Sequence, residues 1–287
     1  DVAIELREKG EAGLRRVKRS QRDRAGRIVR RLFLEVAQKS VDKAKKALQK
    51  EEKLANDKQI AHANGKVLYY DDKKGKDYVC SASAVDSPTK RIVVTAAHCV
   101  HGGKGGTWYS NWMFVPAYDK KNRPYGTFPA YHMHAMDEWQ READPDHGKG
   151  FESDVAFVTT KNNERGQRLV DTVGGHRLAV SDRTDFDTTI IGYPQNINGG
   201  ETMEVCKNTT RRIVNNGFPF LQVWGCGFGG GASGGPWLEN YDPKTGLGDV
   251  RSITSYKPID ENDVSYIGAP IFDNRTVDLF AKANNDR

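Results

Sequence analysis

Apolar and polar residues alternate along the chain with two different periods. From Ile28 onward, apolar side chains recur at Leu32, Val36, Val41, Ala44 and Leu48, in steps of three to five. That is close to the helical repeat, and it predicts an amphipathic helix over about residues 27–56. From Gly65 the pattern changes to short β-branched and aromatic runs separated by turn residues. Lys66–Tyr70, Asp77–Val85 and Arg91–Thr95 read as strands, with polar turns at Asp71–Lys76 and Ser87-Pro88 between them. Ser153–Val158, Thr188–Gly192, Glu201–Cys206, Leu221–Trp224 and Val250–Tyr256 continue the series. Ala269–Phe272 is short and apolar, and Arg275–Ala283 reads as a closing helix. The organisation expected from this is a helical segment at 1–60, a β-rich half at 61–175 and a second β-rich half at 176–287.

Composition sharpens the division. Residues 1–60 hold 18 Lys/Arg against 10 Asp/Glu, with no proline and only three glycines, although the whole chain carries a net charge of only +6. The basic character therefore belongs to the first segment. It reads as a solvated helical arm, as a pro-segment of a zymogen, or as a surface for an acidic partner. Phe33 is its only aromatic residue, so it lacks the interleaved rings of a nucleic-acid binder. No run is long and apolar enough for a membrane span, no signal-peptide pattern is present, and the start at Asp1 reads as a processed or truncated end. The four cysteines fall into two locally spaced pairs, Cys80 with Cys99 and Cys206 with Cys226. No CxxC occurs, so two disulfides and an oxidising, extracellular setting are expected.

Three stretches carry chemistry. In Gly229-Gly230-Gly231-Ala232-Ser233-Gly234-Gly235-Pro236 a serine sits among glycines. Such a turn presents a hydroxyl beside backbone N–H groups, as acyl transfer requires. His98 ends a strand-like run in Thr95-Ala96-Ala97-His98-Cys99, where a rigid imidazole makes a good base. Asp154 enters an apolar run, where its carboxylate needs hydrogen-bond donors. Asp144 and Asp146 are its rivals, in a polar loop that leads into no strand. His132, His134 and Asp137 form a weak metal-ligand pattern in what reads as a long exposed loop, and no metal or other cofactor is expected. Sequon matches at Asn208 and Asn274 carry no inference.

Taken together and in the order His98, Asp154, Ser233, these three stretches closely resemble the signatures of the chymotrypsin-like (trypsin-like) serine peptidases. The resemblance covers about residues 65–285. It implies a mainly β fold: two antiparallel six-stranded barrels with the active site between them, preceded by the helical segment and closed by a short C-terminal helix. It also implies that Ser233 is the nucleophile, His98 the general base and Asp154 its partner, with the N–H groups of Gly231 and Ser233 forming the oxyanion hole. By analogy Gly227, Phe228, Ser255, Tyr256 and Lys257 line the specificity pocket. None of these is acidic, which argues against strict Lys/Arg selection; Lys257 suits an acidic residue, Phe228 and Tyr256 an apolar one. Ala232 stands where animal trypsins carry the aspartate of their activation switch, so the likeness is to the secreted bacterial branch, including the glutamyl-endopeptidase-like enzymes. The expected activity is that of a secreted endopeptidase acting on protein or peptide substrates. The alternative is a latent or non-catalytic peptidase-fold protein whose basic N-terminal helix binds a partner.

Overall fold

The computed structural model describes residues 35–36, 38–46, 48–49, 61–144, 149–215, 217–258, 263 and 265–286. Residues 38–46 are helical, as are 35–36 and 48–49. This agrees with the helical periodicity over its described part. The remainder of the expected 27–56 helix, and the pro-segment and arm readings of 1–60, lie outside the described residues.

The first β-rich half is a closed six-stranded antiparallel barrel in the order β1-β2-β3-β6-β5-β4. Its strands are β1 (Asn64–Asp71), β2 (Lys76–Val85), β3 (Ile92–Thr95), β4 (Ser110–Pro116), β5 (Phe128–Ala135) and β6 (Ala156–Thr160). The β1–β2 turn closes where Asp71 accepts the N–H groups of Lys73, Lys74 and Gly75. β4 pairs back onto β1, so no sheet edge is left open. Val67, Ile92, Phe114, Phe128 and Phe157 fill the interior, each fully buried. β5 runs into the stretch around His132 and His134 that reads as an exposed loop, and β4 has no counterpart among the expected strands. β5 hides its period because the register slips between Ala130 and His132, and because Tyr131 and His132 face water.

The second half is assembled from two sheets rather than one continuous ladder. β10 (Arg211–Asn215), β11 (Phe218–Trp224) and β14 (Tyr266–Pro270) form one. β7 (Arg177–Leu178), β13 (Leu247–Ile253), β12 (Pro236–Asp242), β8 (Asp187–Gly192) and β9 (Glu204–Thr209) form the other. All pairs are antiparallel except β7 with β13. Ile190, Leu221, Val223 and Trp237 from both sheets meet in one core. Register shifts in β12 against β13 interrupt the ladder where the chain must bend. Both expected disulfides are present, Cys80–Cys99 and Cys206–Cys226.

Helices are short. α1 spans Asp137–Glu142, α2 Leu169–Val173 and α3 Asn274–Asn284. α3 starts at a capping box: the Asp273 carboxylate accepts from the Arg275 N–H, and the Thr276 hydroxyl accepts from the Asp273 N–H. It crosses to the first barrel, placing Leu279 and Ala283 in that core and the Phe280 ring 5.4 Å from Phe157. The closing helix thus packs on the half opposite to its neighbours in sequence. Asp273→Ala is expected to lower unfolding stability by about 1 kcal/mol, measured by urea denaturation, with Asp273→Asn losing less.

His176 ties the two halves together and is fully buried. Its Nε2–H donates to Asn64 Oδ1 at 2.9 Å, while its Nδ1 accepts the Gly248 N–H at 3.1 Å. Burial pushes its imidazole down to about 3. The unfolded value is about 6.5, so between these two values the unfolded chain binds the extra proton and stability rises with pH. The contribution is complete above about pH 6.5 and is lost as the pH falls toward 3. From pH 6.5 to 4 this group alone is expected to cost about 3 kcal/mol of stability. Urea midpoints across that range should fall more steeply for the wild type than for His176→Gln; equal slopes would refute the assignment.

Candidate active site

Each candidate residue is held by a short irregular turn at the end of a strand. β3 runs into the 3-10 turn Ala97–Cys99, and the Cys99–Cys80 bridge fastens that turn to β2. Such a bridge, 19 residues apart in sequence, stabilises by about 3 kcal/mol in the chain-entropy picture. His98 lies between two buried cysteine and alanine neighbours with its own side chain 23 % exposed. Asp154 follows the 3-10 turn Phe151–Ser153 and is wholly buried at the start of β6.

His98 and Asp154 are joined twice. The His98 backbone N–H donates to Asp154 Oδ1 at 2.8 Å, and ring Nδ1 lies 2.7 Å from Oδ2. The Ser255 hydroxyl donates to the same Oδ2 at 2.5 Å. Three donors on one carboxylate offset the cost of burying it. They also leave His98 Nε2 as the free ring nitrogen. Trp139 and Phe151 stand 6.2 and 6.5 Å from the imidazole, ring centre to ring centre.

The serine turn lies against the histidine turn. The Ser233 carbonyl accepts the Ser81 N–H at 2.7 Å, and Cys99 Sγ is 3.7 Å from that oxygen. Gly234 has φ +80°, and a Cβ there would run into Thr95, Ser81 and the Ala96 backbone. Only glycine allows this approach. Gly231, at φ +90°, likewise has no room for a side chain against the Tyr193 carbonyl. Its own carbonyl accepts the Ser81 hydroxyl at 2.8 Å, while that hydroxyl oxygen takes the Tyr193 N–H at 2.8 Å. Among the described residues, the Gly231 and Ser233 N–H groups donate to no backbone acceptor. Ser233 is half-buried, and the Ala232 methyl is packed into the second core.

The expected pocket residues divide. Ser255 is buried on Asp154. Tyr256 pairs through its backbone with Gly268, and its ring lies 5.3 Å from Phe220 and 5.7 Å from Phe151. Phe228 is 3 % exposed, inside the second core. Gly227 accepts from the Asn196 side chain at 2.9 Å, and Lys257 is half-buried.

A cleft of about 460 Å³ opens beside these residues. Phe151, Phe218, Phe220 and Tyr256 line it, and Glu138, Glu142 and Glu152 also face it. Sequence reading did not find this cleft, nor the part played by Ser81. Phe151 lies three residues before Asp154, but the two phenylalanines of β11 reach it only through folding. Asp144 is half-buried in a loop that pairs with Lys149, away from the His98 contacts above. Asp146 lies outside the described residues.

No protein-family model and no curated protein matches the sequence. Solved structures do. The protease Anisep from Arthrobacter nicotinovorans is 27 % identical, with a TM-score of 0.68 over 78 % of this chain and 96 % of its own. The thermostable serine protease AL20, from an extremophilic microorganism, is 27 % identical, with a TM-score of 0.69 over 79 % of this chain and 99 % of its own. A Glu endopeptidase shares the fold at 13 % identity and a TM-score of 0.59, over 79 % of this chain and 93 % of its own. With a closed barrel, a second β half and these neighbours, the chain has the fold of the chymotrypsin-like serine peptidases and is similar to them over most of its length. It is a hydrolase with that fold, most of its length being matched by proteases of modest identity.

Proposed function

We propose that the protein is a secreted endopeptidase that cleaves peptide bonds through an acyl-enzyme on Ser233. The observation that carries the reading is the chain of hydrogen bonds Ser255–Asp154–His98, buried at one end and open at His98, with the serine turn packed against it. Ser233 Oγ attacks the scissile carbonyl while His98 Nε2 takes its proton. The proton passes to the departing amine, and water then repeats the attack on the acyl group. Asp154 keeps the ring in the tautomer that leaves Nε2 free. The unengaged N–H groups of Gly231 and Ser233 supply donors for the oxyanion, each worth about 2.7–4 kcal/mol of barrier. The two disulfides support an oxidising compartment.

The aromatic cleft supports binding of the substrate beside His98, its rim carrying both acidic groups and Lys149. A fluorophosphonate probe should label Ser233 in the wild type and fail on His98→Ala. Absence of labelling after removal of residues 1–60 would overturn the reading. Labelling that appears only after that removal would favour the latent form, which the basic composition of 1–60 recommends.

A further inference from the structure

We infer that His132, His134 and Asp286 form a binding site for a divalent transition-metal ion, Zn²⁺ being the best fit, which clasps the end of α3 to the first barrel. Residues two apart on a strand share a face, and β5 thereby presents both imidazoles to the same side. Asp286 arrives two residues beyond the end of α3. Its Oδ1 lies 3.2 Å from His132 Nδ1, and its Oδ2 lies 2.8 Å from His134 Nε2. The three ligand atoms all fall within 4.8 Å of one another. The sequence pattern of His132 and His134 with Asp137 is therefore corrected in its third member, since Asp137 opens α1 instead.

The donor set decides the class of ion. Two imidazole nitrogens and one carboxylate oxygen are the three-ligand set of an open zinc site, with water in the fourth position. Oxygen-seeking Ca²⁺ and Mg²⁺ are poorly served by two imidazoles. Around a tetrahedral ion with bonds of about 2.0–2.2 Å, donor atoms stand about 3.3–3.6 Å apart. The His132 distance stands at the edge of that range, the His134 distance about half an ångström inside it, and all three ligand atoms fall within 4.8 Å, so an ion would re-space groups that already converge.

An outer layer is also in place. The Thr159 hydroxyl lies 2.8 Å from Asp286 Oδ2 and 2.9 Å from the Ala283 carbonyl, so it can orient the carboxylate from β6. The Tyr131 ring stacks on His132 at 4.1 Å, holding that imidazole while leaving it 51 % exposed. His134 and Asp286 are 14 % and 12 % exposed. The ion has a route in from solvent through His132 and a sheltered seat behind it. This inference does not depend on the catalytic reading.

The test uses the full chain stripped with a chelator and titrated with ZnCl₂ alone by calorimetry. One equivalent should bind to the wild type and also to His98→Ala, which separates this site from the catalytic imidazole. His132→Ala, His134→Ala and Asp286→Asn should each weaken binding by about 10- to 100-fold or more. At a free concentration 100 times the dissociation constant, Zn²⁺ should raise the wild-type Tm by about 5–10 °C, and should leave the Tm of His132→Ala unmoved. Because His132 is exposed, that variant should fold even if His134→Ala does not. Binding absent from the wild type, unchanged in His132→Ala, or lost in His98→Ala alone would overturn the inference.

Discussion

Ser233→Ala is expected to lower kcat by about 10⁶-fold, with KM changed little. The proposed reaction passes through a bond from Ser233 Oγ to the substrate carbonyl carbon, and alanine offers no atom to form it. Binding should persist, because the serine turn is held by groups that the substitution leaves alone. The Ser233 carbonyl still accepts the Ser81 N–H, the Gly234 N–H still donates to the Thr254 carbonyl at 2.7 Å, and the Gly231 carbonyl still accepts the Ser81 hydroxyl. A residue of activity above that of water alone, about 10³- to 10⁴-fold, should remain from substrate binding and the oxyanion donors. Single-turnover hydrolysis of a peptide ester and loss of probe labelling are the measurements. An alanine variant within about tenfold of the wild type would place the nucleophile elsewhere.

Asp154→Asn should lower kcat by about 10⁴-fold while leaving the fold intact. In the wild type both carboxylate oxygens accept: Oδ1 takes the His98 backbone N–H, and Oδ2 faces His98 Nδ1 and the Ser255 hydroxyl. An amide in this place has one accepting oxygen and one NH₂. If the oxygen keeps the backbone N–H, the NH₂ confronts Nδ1 and drives the ring into the tautomer with its proton on Nε2. That nitrogen then has no lone pair for the Ser233 proton. If the amide turns over, the backbone N–H loses its acceptor in a fully buried place, which costs about 1–3 kcal/mol of stability. Ser255→Ala removes one donor without disturbing the tautomer and should be far milder. A comparison of kcat with the urea midpoint separates the two orientations. Activity of Asp154→Asn within about tenfold of the wild type would remove Asp154 from the role proposed for it.

Much of the β architecture is legible along the chain because its strands alternate or are continuously apolar. β2, β3, β6 and β8 stand where the runs Asp77–Val85, Arg91–Thr95, Ser153–Val158 and Thr188–Gly192 predict them, within a few residues. β5 is not legible. Its bulge breaks the two-residue period, and its outer face carries a tyrosine and two histidines. The division of the second half into two sheets is equally hidden, since strand runs alone do not say which neighbour each will pair with.

What the order of residues determined is local chemistry: a serine set in a glycine-rich turn, a histidine beside a bridged cysteine, and an aspartate at the mouth of an apolar strand. Their side-chain types and turn geometries follow from neighbours within a few positions, so they can be read directly. Folding alone decided which distant groups meet. Ser255 reaches Asp154 across 101 residues, Phe151 shares a cleft with Phe218 and Phe220, and α3 carries Asp286 to the two histidines of β5. These meetings depend on barrel closure and on the crossing of the last helix, which bury apolar surface wherever it fits best. That choice is made by the whole packed interior, and no short stretch of sequence contains it.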